Sequence, residues 1–388
     1  MPPALAGSVA APTDVAGLAA EIRAAAARQA AIVVRGAGSW WSDIPAGVDV
    51  VSAAGLDSVS DFNPADLVVT VGAGVSLDRL AARLEAKGAW LPLDPPGSGA
   101  RTVGGVLASG AGGPLAAHYG PPRDHVLGLV VVAGDGTVLR LGGRVVKNVA
   151  GFDLAKLVIG GCGALGVIAE AHLRLRARPR ADRTAVWTGD RTWAARAAAA
   201  ALAAGLAPAA LEVLSPELAG EAGWGADAWA VAIRAVGAEA GVDEALQCAA
   251  RAAGTRPALT VAGDAAWTPW RDAVGRWPVV LRIGADPHGW TAALALAERR
   301  LGRLAAASVT VPRGTVRVGV ERSAAEQIQT LRADAALLHW PVTLERADAA
   351  TRAAAGLWGA LSPEVARLTR EMKATFDPAG ILAAPLLA

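Results

Sequence analysis

Four glycine-dense stretches constrain the fold of this chain more than any other feature. RGAGS (35–39), TVGGVLASGAGG (102–113), GDGTVLRLGG (134–143) and GGCGALG (160–166) each lie beside an apolar run. Any one of them reads as a tight turn, because glycine is the residue that tolerates one. Four of them between residues 35 and 166 ask for more. A backbone must shed its side chains at several points when it closes around an extended ligand. The N–H groups of such turns also form concavities that hold anions. The common nucleotide loops do not fit, however. A GxGxxG pattern starting at Gly36 would need glycine at position 41, where Trp41 stands beside Trp40. VGAGVSL (71–77) runs into a helix but puts Leu77 in the third glycine position, and GxxxxGK[ST] occurs nowhere. The loops suit a bulky dinucleotide held between two small subdomains, and by themselves they leave its identity open.

The chain has 388 residues, beyond the size at which one core usually stops growing, so two domains are expected. At 53% hydrophobic and 19% charged it can fill its cores, and a net charge of +2 gives no reason to expect nucleic acid. Thr13-Asp14 can cap a helix running to about Gln29. Ser76 can cap an amphipathic helix that Gly88 stops. VLGLVVVAGDGTVLRLGG reads as a hairpin, and VIAEAHLRLRARP as an alternating strand. Residues 179–182 read as a linker. Beyond them come alanine-rich helices and tryptophan-bearing strands, then a last helical stretch from about Ala347 to Ala374. The longest apolar run, 197–211, is broken by Gly205 and Pro208 and is too short and alanine-rich to span a bilayer. No basic leader opens the sequence, so a cytoplasmic protein is expected.

Conventional catalytic groups are sparse. His118, His125, His172, His288 and His339 have neither metal-ligand nor paired-base spacing. His125 and His288 read as loop and turn residues. Cys162 and Cys248 form no metal or disulfide pattern, so no metal is expected. Arg271, Arg282, Arg313 and Arg317 have the fork geometry to grip a carboxylate, although a solvated face is the default for each. Trp224, Trp229, Trp267, Trp270, Trp277 and Trp290 read as core or subunit interface in a chain with one tyrosine and three phenylalanines.

Taken in order, IVVRGAGS, VTVGAGVSLDRLAARLEAKGAWLPLDPP, TVGGVLASGAGG, YGPPRDHVLGLVVVAGDGTVLRLGG and KNVAGFDLAKLVIGGCGALGVIAEAHLRL resemble the vanillyl-alcohol oxidase, or PCMH-type, flavoproteins. Within that family VVKNVAGFDLAKL resembles the FAD-binding E subunits of bacterial glycolate oxidases. The resemblance covers residues 10–178, with an echo in MKATFDPAGIL near the end. It implies an α+β fold: a PCMH-type FAD-binding domain of two small α+β subdomains over 1–180, a reduced α+β cap over 183–345, and a segment over 346–388 that returns to the FAD domain. It also implies site residues. Arg35, Gly36, Ala37, Gly38 and Ser39 would hold the FAD diphosphate. Thr102, Val103, Gly104, Gly105, Ser109 and Gly112 would border diphosphate and flavin, and Gly163, Gly166, Val167 and Ile168 the adenosine half.

Ser39 and Ala100 stand where covalent members carry their flavin-linked histidine and cysteine, so FAD is expected to be non-covalent. Leu382-Ala383-Ala384 replaces the family's asparagine and proline-glycine after FDP. The implied function is the FAD-binding subunit of a complex that oxidises 2-hydroxy acids. Its partners would be a larger catalytic FAD subunit and an iron–sulfur subunit, through which alone the chain would meet a membrane. The lack of cap histidines places substrate oxidation on the sister subunit and leaves the catalytic residues of this chain unknown. A stand-alone FAD-dependent alcohol or hydroxyacid oxidase, and a scaffold that has lost tight FAD binding, are the alternatives. In the segment that carries the resemblance, Asp153 is expected to cap a short helix, and Lys147 and Asn148 have no assigned role.

Overall fold

The computed structural model describes residues 9–40, 43–44, 47–144, 153–225 and 227–382. Lys147 and Asn148 lie outside them. Helix α1 (Val15–Arg28) begins at Asp14, whose carboxylate accepts the Gly17 N–H at 2.7 Å, and ends at Gln29 in the left-handed region. Around it, β1 (Val9–Ala10), β2 (Ile32–Arg35) and β3 (Asp49–Ser52) form a parallel sheet in the order β1-β3-β2.

A second sheet follows. It is built from β4 (Val59–Asn63), β5 (Val68–Gly72), the hairpin β7 (Val126–Val132) and β8 (Val138–Gly142), and β9 (Val167–Arg174). Its order is β4-β5-β9-β7-β8, and every pairing is antiparallel. The short β6 (Ala89–Trp90) pairs with β10 (Arg176–Ala177). Helix α2 (Leu77–Glu85) starts at Ser76, whose hydroxyl accepts the Arg79 N–H, and α3 (Val103–Ser109) starts at Thr102. Both sheets and all three helices feed one apolar core that includes Leu18, Ile22, Val71, Leu84, Leu107 and Val131.

From residue 181 to 346 the chain builds a single antiparallel sheet of eight strands. These are β11 (Ala181–Gly189), β12 (Ala210–Leu214), β13 (Trp229–Gly237), β14 (Leu259–Ala262), β15 (Val279–Gly284), β16 (Ala306–Thr310), β17 (Thr315–Val320) and β18 (Val342–Arg346), in the order β14-β11-β13-β12-β16-β17-β15-β18. Side chains alternate between the two faces of a strand. Leu211, Leu281, Val309 and Val316 face a core with the helices Arg191–Ala203, Trp290–Leu301 and Ala325–Ala336. The opposite face is divided. At one end Trp224, Trp267, Trp270 and Trp277 cover Ala210, Ala230 and Val280, so these tryptophans are core residues. At the other end Arg282 and Arg317, register partners on β15 and β17, turn toward the first half of the chain.

Three expectations need correction. Residues 179–182 are not all linker: β11 already starts at Ala181, and Asp182 binds the buried Arg234 at 2.5 Å. The helical stretch expected over 347–374 is not continuous but divides into two helices, Ala349–Ala355 and Pro363–Phe376. Gly356, at φ 68, ends the first, and Ser362-Pro363 starts the second. Asp153 occupies the position before the helix Leu154–Val158 but caps nothing; its carboxylate lies 3.4 Å from Lys156. The departure after FDP leaves the tail anchored. Leu382 bridges Ile32 in parallel, and the buried Asp377 carboxylate accepts the N–H groups of Ile381 and Leu382. Among the described residues no helix is long and apolar enough to cross a membrane, and no three His, Cys, Asp or Glu side chains gather as metal ligands.

Candidate cofactor site and an adjoining arginine pocket

A cavity of about 980 Å³ opens at the carboxyl end of β2. The RGAGS loop forms one wall. Gly36 packs so closely on the N-terminus of α3 that a Cβ there would lie 2.2 Å from the Thr102 hydroxyl, which itself accepts the Gly105 N–H. Gly38 takes φ 66, a conformation costly for any residue with a side chain. Arg35, Ala37, Ser39, Thr102, Gly105, Ser109 and Gly163 complete the expected residues that reach this cavity.

The others are placed differently. Val103 is sealed in the core, and Gly104 lets α3 sit on Ala73, which a Cβ would approach to 2.6 Å. Gly166, at φ 136, abuts Val131, while Val167 and Ile168 are buried in β9. None of these five lines the cavity. Gly112 lies in the adjoining pocket described below.

The cavity also has walls that its sequence signals did not announce. Trp40 carries the Arg101 guanidinium 4.5 Å from its ring centroid. Arg101 also donates to Pro96 O and, at 3.1 Å, to Ser109 Oγ, and burial pulls it down to about 10. Arg352 binds Asp43 at 2.9 Å, and the break between the last two helices, 356–361, runs along the same side. Cys162 takes φ 47 beside the cavity, and burial pushes its thiol up to about 12, which leaves it inert. Together these features fit FAD. The volume is that of a large cofactor pocket. Glycine backbone lines it where a diphosphate needs close approach, and five cationic side chains (Arg35, Arg101, Arg352, Arg370 and Lys373) border it against one acid, Asp43.

A second pocket, of about 300 Å³, shares Trp40, Ser109, Cys162, Leu357 and Trp358 with the first. Its lining includes Arg123, Arg282, Arg313 and Arg317 against one acid, Glu345. Glu345 Oε2 lies 2.7 Å from Arg317 Nε, and its Oε1 lies 2.7 Å from Arg282 Nε. Arg317 reaches across to donate to Gly112 O at 2.8 Å. Burial alone would push the Glu345 carboxyl up, but Arg317 and Arg282 outweigh it and hold the group below the usual range. Four guanidiniums around one ionised carboxylate leave an excess of positive charge, which suits a small anion.

The sequence had assigned Arg282 and Arg317 a solvated face by default. The structure corrects that for Arg317, whose side chain is 4% exposed, because β17 sits inside the sheet and points this residue at the first half of the chain. His125 is buried with its ring 3.3 Å from Gly120 O, and His288 lies in a turn.

Residues 6–142 match the family described as FAD binding domain. A stretch of 125 residues is 42% identical to glycolate oxidase subunit GlcE of Escherichia coli, covering 32% of this chain and 36% of that one. Glycolate oxidase subunit GlcD of Bacillus subtilis is 35% identical over 161 residues, 41% of this chain and 34% of that one. D-2-hydroxyglutarate dehydrogenase of Xanthomonas citri is 35% identical over 175 residues, 44% and 37% of the two chains. The matched stretch therefore spans little more than a third of each relative. In three dimensions the chain superposes on alkyldihydroxyacetonephosphate synthase with a TM-score of 0.70 at 16% identity, over 96% of this chain and 76% of that one, a likeness of fold. Residues 6–142 thus match a FAD-binding domain, and that match supports FAD as the cofactor.

Proposed function

We propose that this chain is the FAD-binding subunit of a glycolate oxidase-type oxidoreductase complex, and that the arginine pocket takes the carboxylate of a small 2-hydroxy acid beside the flavin. In this reading residues 1–180 hold FAD non-covalently through Arg35–Ser39, Thr102, Gly105, Ser109 and Gly163. Residues 183–345 supply the acid-binding face, and residues 346–388 close the cofactor domain. When bound, FAD would accept the hydride from C2 of the acid, whose hydroxyl proton would leave to water. Arg282 and Arg317, held by Glu345, orient the carboxylate, and their fork geometry suits two parallel bonds to it. Electrons then pass to an iron–sulfur partner subunit.

The wall that the arginine pocket shares with the cofactor cavity carries this reading. It also favours oxidation on this chain itself, whereas the scarcity of histidines had pointed to a sister subunit. Anaerobic addition of glycolate or D-lactate to the purified, FAD-loaded chain should bleach its flavin absorbance. A flavin that stays oxidised with every 2-hydroxy acid, in a chain that binds no small carboxylate, would overturn the proposal.

A further inference from the structure

The last helix, Pro363–Phe376, is amphipathic and 14 residues long, yet none of its residues is buried. Helices in proteins draw most of their stability from packing one face, so this one lacks its usual support. It is capped at its first end and fastened to the rest of the chain at its last. The Ser362 hydroxyl accepts the Val365 N–H at 3.4 Å, and Lys373 donates to Ala164 O and Leu382 O at 3.0 and 2.9 Å. Phe376 O accepts the Gly134 N–H at 2.8 Å.

Between these anchors Ala366, Thr369, Arg370 and Lys373 fall at i, i+3, i+4 and i+7, one stripe of the helix. All four line the cofactor cavity, as does the preceding connector 356–361. The inward face of this helix therefore looks onto the space for a ligand.

Charge narrows what that ligand end must be. Of the cations around the cavity, Arg352 is engaged by Asp43 and Lys373 by Asp377, at 2.9 and 2.5 Å. Arg101 is held by Pro96 O and Ser109. Arg35 and Arg370 meet no carboxylate among the described residues. Two guanidiniums without a carboxylate partner among the described residues, on one cavity, match a diphosphate better than a neutral ring.

We propose that the helix Pro363–Phe376 is the closing wall of the FAD site, folded down on the bound cofactor, and that Arg370 joins Arg35 in binding the diphosphate. The inference rests on FAD occupying the cavity and is independent of the substrate.

Two measurements on the full chain test it. Amide hydrogen exchange over 363–373 should slow about tenfold or more when FAD binds, the protection expected of a segment that gains its packing partner. Arg370→Gln should weaken FAD about tenfold in a fluorescence titration, the loss of one charge-assisted contact. That deficit should shrink at high salt. The side chain is exposed, so the variant without FAD should melt with the wild type. Unchanged exchange on FAD addition would overturn the wall, and wild-type FAD affinity in Arg370→Gln would overturn the role of the arginine. A wild-type chain that takes up no FAD would instead bring down the cofactor assignment beneath both.

Discussion

The cofactor cavity and the arginine pocket touch, yet they are made by different means. Much of the cavity is backbone from short contiguous loops, with Gly36 and Gly38 giving the approach and Thr102 ordering the turn into α3. The pocket is side chains on separate strands, brought together by sheet register. Arg317 and Glu345 are 28 residues apart in sequence, Arg282 and Glu345 are 63 apart, and Arg317 meets Gly112 across 205 residues. A site made of loops fails through local strain, and a site made of register fails through an uncompensated charge. The second failure is the larger.

Arg317→Met tests that ordering at its extreme. Removing one partner of a buried ion pair commonly costs about 3–5 kcal/mol, because the other charge stays behind without compensation. Glu345 would keep Arg282, whose side chain is 37% exposed. Urea unfolding should show a loss near the lower end of that range, and carboxylate binding should disappear. Adding Glu345→Gln should restore part of the stability, since the stranded charge goes with it. A single variant as stable as the wild type would mean that the pair is solvated and the contrast false.

Glu212 sharpens the same contrast by pH. It lies on the arginine face of the sheet and is fully buried, with Oε2 accepting the Ser308 hydroxyl at 2.8 Å. Burial pushes its carboxyl up to about 8, and pushes Asp94, also buried, up to about 7. The fold therefore keeps a proton that the unfolded chain releases near the ordinary glutamate value of 4.5. Stability must fall as pH rises from about 4.5 to 8, by up to roughly 1.4 kcal/mol per unit for one such group. Glu212→Gln holds the neutral form at every pH. Its melting temperature should gain on that of the wild type across this window and level off above it. Parallel curves would show that Glu212 is ionised in the fold.

In the cavity, Gly38→Val is the matching test. Its Cβ would meet the Arg35 guanidinium, the end of a flexible side chain that can move away. The cost that cannot be relieved is the backbone at φ 66, about 1–3 kcal/mol for a β-branched residue. The chain should stay folded and lose FAD, read as the absorbance remaining after gel filtration. Full yellow occupancy would show that the loop does not touch the diphosphate.

These tests follow the line between what the sequence revealed and what it hid. The loops, the caps at Asp14 and Ser76, and the β7–β8 hairpin were legible because each rests on neighbours a few residues apart. Gly166, Val167 and Ile168 were implied as adenosine contacts by the family resemblance, which aligns the segment without saying which of its residues face the cavity. Here Gly166 makes room for Val131. Arg317 was hidden because strand alternation places it on a face but says nothing of which loop covers that face. Gly112 covers it, through pairings on both sides of the chain that no local pattern encodes.

The smallest expected effect lies where the sequence looked most distinctive. An acid that caps a helix typically contributes about 1 kcal/mol, so a capping Asp153 would make Asp153→Ala measurably destabilising. The structure gives Asp153 no such bond, only a contact with Lys156 between side chains that are both about half exposed. Water and salt screen such a pair almost completely, and exposed pairs often contribute nothing measurable. Asp153→Ala and Lys156→Ala should therefore each melt close to the wild type, and equally so in low and high salt. If Asp153→Ala alone fell by several degrees, the carboxylate would be capping the helix in solution after all. The glycine-rich side would then carry a side-chain contribution of its own, and its contrast with the arginine pocket would narrow.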